Sequence, residues 1–491
     1  MADDSSQTML GDVGTKTIQG ASLMVLRTLV LYPVGFVGEV SLARLLAPRD
    51  FGVYAIASFI TVTLAGVMDV GLAAALIQRK TEASDEEYQT LFTLQILGIS
   101  ILVLLVFLLA PWVFPLLNLD VGIRWTALAL LLYPWISSIG TASAVKLERE
   151  LRYSVFAKID VMRGISYVTI AVGLAYWGAK SWSFVIAIIV SALFKAGVAF
   201  REAPWPVRFR LKLSGMGQTL RFGVIFQLST LTSLFRDHIG VVLGGPLFGP
   251  QSVGYLNWSK NLTYYTSQIF TQVVSRVAFP SISRVQDNPE AVGQMTQTLF
   301  KYVNLFTFPA IFTFASLIPE FVSVVFTDKW RPAIPAFYFY SLRMMGSNVT
   351  TLYINVFYAL GRLKTALRIL TYWTLLDWVL ALIFCPLIGF SGIALAYGLS
   401  VLPISVWLIL ALNRYVRIDL RVSLFVPLSL SALACLPVLI LKSRVVPSWL
   451  TVAALAGGTL LIYLILLVLV ERKTLLSEGK VFWLSLGRYV G

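Results

Sequence analysis

The sequence predicts an all-α integral membrane protein of about fourteen transmembrane helices, on three observations. Of its 491 residues, 58% are hydrophobic and 13% charged, against roughly 45–50% and about 25% in a soluble domain; the mean hydropathy is +0.81. The apolar residues fall in runs near the 20 that a bilayer crossing requires, separated by short basic clusters. The third is an internal repeat. A shift of 202 residues aligns Gly38, Val40, Leu45, Pro48 and Gly52 with Gly240, Val242, Leu247, Pro250 and Gly254, five identities in fifteen positions where chance gives about one. A block of six spans is even, so both copies keep one topology, about an axis along the membrane normal.

In chain order, residues 1–17 are polar and the first apolar run is too long for a signal core, so no cleavable leader is expected. Span 1 (20–43) places Arg27, Leu31, Gly35, Gly38 and Glu39 within roughly a 120° arc. Span 2 (53–77) follows the turn LLAPRDFG and carries Asp69. Spans 3 (89–110) and 4 (123–145) are apolar. Spans 5 (155–177) and 6 (181–200) carry Asp160, Arg163 and Lys195. Arg163 and Lys195 lie toward the cytoplasmic ends, where snorkelling to the interface competes with a functional role. The basic loop 201–212 reads as a linker between lobes. Span 7 (219–243) carries a stripe of Ser229, Thr232, Ser233, Arg236 and Gly240, flanked by Asp237 and His238. The polar span 8 (252–275) shows Asn257, Lys260, Asn261, Tyr264, Gln268, Thr271 and Ser275. After span 9 (300–325), span 10 (333–360) repeats the rhythm with Tyr340, Arg343, Ser347 and Thr351, and span 11 (365–388) carries Asp377. Span 12 is 390–412, and spans 13 (421–441) and 14 (448–470) stand outside the repeat. The domains expected are therefore a six-helix lobe with linker at 1–212, a second at 213–413, and two further helices with a cytoplasmic tail at 414–491.

Six cations, Arg27, Arg163, Lys195, Arg236, Lys260 and Arg343, lie five or more residues inside the ends of predicted spans. Each costs about 2.5–3.5 kcal/mol at the centre of a spanning helix even on the lenient insertion scale, so they should line a wet cavity or pair with acids. The acids available are Glu39, Asp69, Asp160, Asp237 and Asp377. Charge compensation is one role for them and ion or proton coupling the other, with Asp237 the natural partner of Arg236. The stripes of Ser, Thr and Gly serve equally as interhelical contacts. Of the remaining Lys and Arg, 25 fall on the side of the N-terminus and 8 on the other, which orients both termini to the cytoplasm. The net charge of +15 is loop charge, with no compact basic domain for nucleic acid. One histidine, His238, excludes a multi-histidine metal site, and Cys385 and Cys435 sit in apolar runs; no cofactor is expected. The longest unspanned stretches, 201–218 and 276–299, are short and cytoplasmic, which leaves no room for a catalytic domain.

LARLLAPRDFGVYAIA (42–57) with DVGLAAALIQRK (69–80) resembles the first hairpin of Wzx-type polysaccharide flippases, and KLERELRYSVFAKID (146–160) resembles their link between spans 4 and 5. LRFGVIFQLS (220–229), RVAFPSISRVQD (276–287) and ALGRLKTALRI (359–369) extend the likeness to the second half. The resemblance is closest to the exporters of colanic-acid-like repeat units, within the superfamily of MATE exporters and lipid II flippases. It implies two six-helix lobes in a V, a bacterial inner-membrane location, and an undecaprenyl-diphosphate-linked oligosaccharide as cargo, with polysaccharide polymerase or export machinery as partners. Arginine suits such a cargo, because its planar fork binds phosphate bidentately. The expected cavity set is Arg27, Arg236, Lys260, Arg343, Asn257, Asn261, Tyr264 and Tyr340, and the coupling set Asp69, Asp237, Asp377 and Glu39. A MATE-like drug exporter and a membrane enzyme of polysaccharide assembly are the alternatives.

Overall fold

The computed structural model describes residues 23, 26–68, 73, 76, 84–116, 121–150, 152–211, 234–416 and 418–490. Every regular element among them is helical. We number them α1 (Leu26–Leu45), α2 (Pro48–Met68), α3 (Asp85–Leu116), α4 (Gly122–Arg149), α5 (Tyr153–Tyr176), α6 (Trp182–Glu202) and α7 (Gly244–Arg284). Then follow α8 (Pro289–Phe321), α9 (Ile334–Ala359), α10 (Leu363–Ile388), α11 (Ser391–Leu412), α12 (Val426–Leu441) and α13 (Trp449–Val490).

Among the described residues nine helical segments are long and apolar enough to cross a membrane, which makes this a multi-pass membrane protein. Five predicted spans are not among the nine. Span 7 lies largely outside the described residues. The other four correspond to α2, α5, α7 and α9, helices of 21 to 41 residues. The stripes predicted for spans 8 and 10 lie on two of them. Asp69, Ser229, Thr232 and Ser233, with the side chains of Gln268, Thr271 and Ser275, lie outside the described residues.

Local sequence accounts for where the helices start. Pro48 opens α2, and the Ala47 N–H donates to the Asp50 carboxylate at 3.0 Å. Asn288 caps α8, accepting from the Glu290 and Ala291 N–H groups at 3.1 Å each, with Pro289 at the first helical position. In the second repeat Gly249, at φ 76°, breaks the helix just before Pro250, so a proline restarts a helix at the same point of both copies. Hydroxyls within the spans largely bond to their own helix, as Thr61, Thr93, Thr126, Thr296 and Thr307 do to the carbonyl four residues back. That satisfies them where water is absent.

Packing divides the chain into two compact units, Met1–Trp258 with Cys385–Ile393, and Ser259–Phe384 with Ala394–Gly491. In the first, small residues draw helices together. A methyl built on Gly164 would strike Leu31, and one on Gly38 would lie 2.8 Å from both Val168 methyls, so α1 lies flush on α5. The same unit holds the tightest contact of the repeat: a methyl on Gly52 would fall on the Pro250 carbonyl, and one on Gly254 on the Pro48 carbonyl. The basic loop after α6 is strapped down. Trp205 is buried, Gln89 donates to the Pro206 carbonyl (3.0 Å), Lys146 to that of Pro204 (3.1 Å), and Arg210 pairs with Glu86 at 2.8 Å. In the second unit Phe300, Tyr353, Phe357, Ile404 and Leu408 form the core. There α13 continues past the predicted span to Val490.

Candidate functional site

The second unit holds Arg343 in a cage. Its Nη1 lies 3.3 Å from both carboxylate oxygens of Asp377, which is fully buried. The guanidinium also lies 4.9 Å from the Trp373 ring centre and 4.4 Å from that of Tyr397, within cation–π range. Ser400 donates to Asp377 and accepts from the Trp373 indole N–H at 3.3 Å. The spacing is helical: Trp373 and Asp377 are i, i+4 on α10, and Tyr397 and Ser400 are i, i+3 on α11. Glycines let the helices close around it, since a methyl on Gly398 would come within 2.6 Å of the Phe339 carbonyl and one on Gly346 equally near Val401. Tyr340, one turn before Arg343 and buried, stacks obliquely on Tyr397 with ring centres 5.9 Å apart. Asp377 takes the charge of Arg343, whose side chain is 17% exposed.

The first unit holds a second constellation. Asp160 accepts from Arg27 at 2.7 Å and lies 3.4 Å from the Lys195 ammonium. One carboxylate serves two cations, and Arg163 stands one turn further along α5. Contact of α1 with α5 through Leu31 and Gly38 is what carries Arg27 to Asp160, so part of the predicted span 1 arc is a packing face. Arg236 bonds to its neighbour Asp237 at 3.1 Å, as the sequence suggests. His238 lies against Phe59 with ring centres 5.2 Å apart. Asn257, Lys260 and Asn261 are half-buried along α7 and Tyr264 is 37% exposed. Asn257 and Arg236 belong to the first unit, Lys260, Tyr264 and Arg343 to the second. Among the described residues no group of three His, Cys, Asp or Glu side chains is placed to hold a metal ion.

A family model described as "Polysaccharide biosynthesis protein" matches residues 41–335, which include both copies of the turn and most of the helices just described. The chain belongs to the polysaccharide biosynthesis protein family. Its relatives include an uncharacterized membrane protein in the cps region of Klebsiella pneumoniae, 24% identical over 77% of each chain. Another is the lipopolysaccharide biosynthesis protein WzxC of Escherichia coli K12, 26% identical over 65% of each, a little under two thirds of that relative's length. Teichuronic acid biosynthesis protein TuaB of Bacillus subtilis is 26% identical over 55% of this chain and 56% of its own. Among solved structures, the fold matches lipid II flippase MurJ with a TM-score of 0.73 at 15% identity, over 92% of this chain and 99% of that one. It also matches an inward-facing multidrug MATE transporter at 0.61 and 14% identity, over 78% and 94%. This member of the polysaccharide biosynthesis family therefore has the MurJ/MATE helical fold.

The sequence singled out Arg343 and Asp377 separately and missed that they are one site. The spacing of Trp373 with Asp377, and of Tyr397 with Ser400, was the available signal. Lys301 and Glu471 were missed altogether, yet they form a buried pair at 2.6 Å.

Proposed function

We propose that this protein flips an undecaprenyl-diphosphate-linked oligosaccharide repeat unit across the bacterial inner membrane by alternating access. The observation that carries the reading is the surplus of positive charge inside apolar helices: Asp160 is shared between Arg27 and Lys195, and Arg163 stands beside them. Membrane helices do not retain such charge without use, and an anionic headgroup is the cargo it suits. Family membership and the MurJ-like fold support transport, with no covalent chemistry asked of the protein. In this reading fourteen spans form two six-helix lobes in a V, 1–212 and 213–413, with the remaining helices at 414–491 and both termini cytoplasmic. Arg27, Arg236 and Lys260, with Asn257, Asn261 and Tyr264, meet the cargo. Arg343, Tyr340 and Asp377 form the element that changes state between lobe positions, with Glu39, Asp69 and Asp237 as further acids. A polysaccharide polymerase receives the product on the outer side.

The test is reconstitution. Purified protein in proteoliposomes should move a fluorescent lipid-linked oligosaccharide out of reach of an external quencher, and cells lacking it should accumulate that lipid on the inner leaflet. The MATE-type fold keeps a drug exporter as the second reading. Extrusion of cationic dyes by the same vesicles, with no movement of the lipid-linked sugar, would decide for it.

A further inference from the structure

Pro309 lies inside α8, with helix continuing on both sides of it. Proline has no N–H, so the Leu305 carbonyl four residues back loses its helical partner and the turn between them is free to bend. Inside a membrane that carbonyl must find another donor. It finds one on α13, where the buried Tyr463 hydroxyl donates to it at 2.8 Å. The same stretch of α8 holds further polar contacts. Lys301 pairs with Glu471 of α13 at 2.6 Å. Asn304 Nδ2 donates to the Ser423 carbonyl at 2.8 Å, in the π-helical turn Arg421–Phe425 that leads into α12. Asn348 of α9 donates to Asn304 Oδ1 at 2.9 Å and to Thr307 Oγ1 at 2.6 Å. Both amides are buried, and donor and acceptor are fixed from the two ends of the chain. Ser423 offers a carbonyl, so Asn304 turns its NH2 to α12 and its oxygen to α9. Thr307 gives its proton to the Val303 carbonyl, so Asn348 must bring its own NH2. The Asn348 oxygen is then left buried without a partner, which makes this clasp weaker than a fully paired one and able to open. The first block of the repeat offers a contrast. There α3, the third helix of its block as α8 is of the second, reads GISILVLLVFLLA over 98–110, with no amide, cation or proline. Of the two, only the helix braced by α12 and α13 has both the bend and the polar residues that hold it.

We propose that Pro309 is a hinge and Tyr463 its lock. The helices α12 and α13 set how far α8 bends, and the Asn304–Asn348 clasp passes that setting to α9, which carries Arg343 five residues before Asn348. With Tyr463 on the Leu305 carbonyl, α8 is held and Asn348 is held on it. With Tyr463 withdrawn, α8 bends between Leu305 and Pro309, the clasp opens and α9 is released. The two helices outside the repeat are thus the control element of the second unit, whatever cargo that unit handles.

The experiment uses the full chain in nanodiscs, alkylated with N-ethylmaleimide and followed residue by residue by mass spectrometry. Cys435, buried on α12 in hydrogen-bond contact with Ser316 of α8, reports the parting of those two helices. Cys385, buried on α10, is the control. A third thiol, S347C, reports on α9; the Ser347 hydroxyl bonds to Met344 within its own turn, so this change leaves the clasp intact. Y463F removes a single oxygen and should speed alkylation of Cys435 and of the S347C thiol about tenfold, the scale of one hydrogen bond, with Cys385 unchanged. N348L opens only the α9 end and should speed the S347C thiol alone. The decisive variant is P309A/Y463F. Alanine brings back the N–H that the Leu305 carbonyl needs, so the lock is no longer required and both reporters should return to their wild-type rates. Wild-type rates in Y463F, equal acceleration of all three thiols, a fast Cys435 in P309A/Y463F, or a slow S347C thiol in N348L each overturns the proposal. Alkylation needs no transport, so the outcome is independent of whether lipid-linked sugar is moved.

Discussion

Arg343 and Asp377 are bound to each other so fully that neither is replaceable alone. Removing one member of a buried pair strands the other charge and costs about 3–5 kcal/mol. R343Q and D377N should therefore each reduce membrane abundance and thermal midpoint, and the double variant should recover most of the loss. A cargo ligand behaves otherwise: R343Q would export nothing at normal abundance, and D377N would not rescue it. Fluorescence-detected size exclusion of a tagged protein, beside an export assay, separates these outcomes. Thr327 offers a gain. It adopts φ 121°, ψ 156°, a region that only glycine occupies freely, and its hydroxyl is buried without a hydrogen-bond partner. T327G should raise stability by about 1 kcal/mol, the strain relieved exceeding the added chain entropy; a lower melting midpoint would contradict this. Periodicity exposed the polar face of α9, because it depends only on residues near in sequence. The Trp373–Tyr397 cage comes from three helices meeting, which no periodicity encodes.

Among elements, the two last helices are fastened to α8 at opposite ends. Lys301 pairs with Glu471 at 2.6 Å and Lys442 with Glu320 at 3.4 Å, while the Tyr463 hydroxyl donates to the Leu305 carbonyl at 2.8 Å between them. The Lys301–Glu471 pair is over nine-tenths buried on both sides, so E471Q should destabilise the protein by about 3 kcal/mol or more. K301M/E471L should restore much of that, as judged from thermal midpoints and protease resistance of the C-terminal helices. The sequence placed these helices outside the repeat, which is a statement about ancestry and not about attachment. Hydropathy found the lipid-facing helices readily, as in Ile101–Leu109 of α3. It is weakest for α7 and α9, where Asn257, Lys260, Asn261 and Arg343 are partly buried.

At the scale of the whole molecule, the orientation drawn from 25 basic residues against 8 has a direct check. Cysteines introduced at Asn118 and Lys180 should react with a membrane-impermeant maleimide in intact spheroplasts, and one at Arg210 should not. The opposite pattern would invert the topology and with it the direction of transport. The repeat was the most far-reaching feature legible in the sequence, yet its five shared residues said nothing of where they would meet. They meet one another. Gly52 lies against the Pro250 carbonyl and Gly254 against that of Pro48, so each copy offers the same two positions to the other. This is the form of an isologous contact, made within one polypeptide: position 52 meets 250 as position 254 meets 48. A change in one copy therefore disturbs the pairing that the other also needs. G52A and G254A should each cost stability, and the double variant little more than either, because the first methyl has already parted the backbones that the second would part.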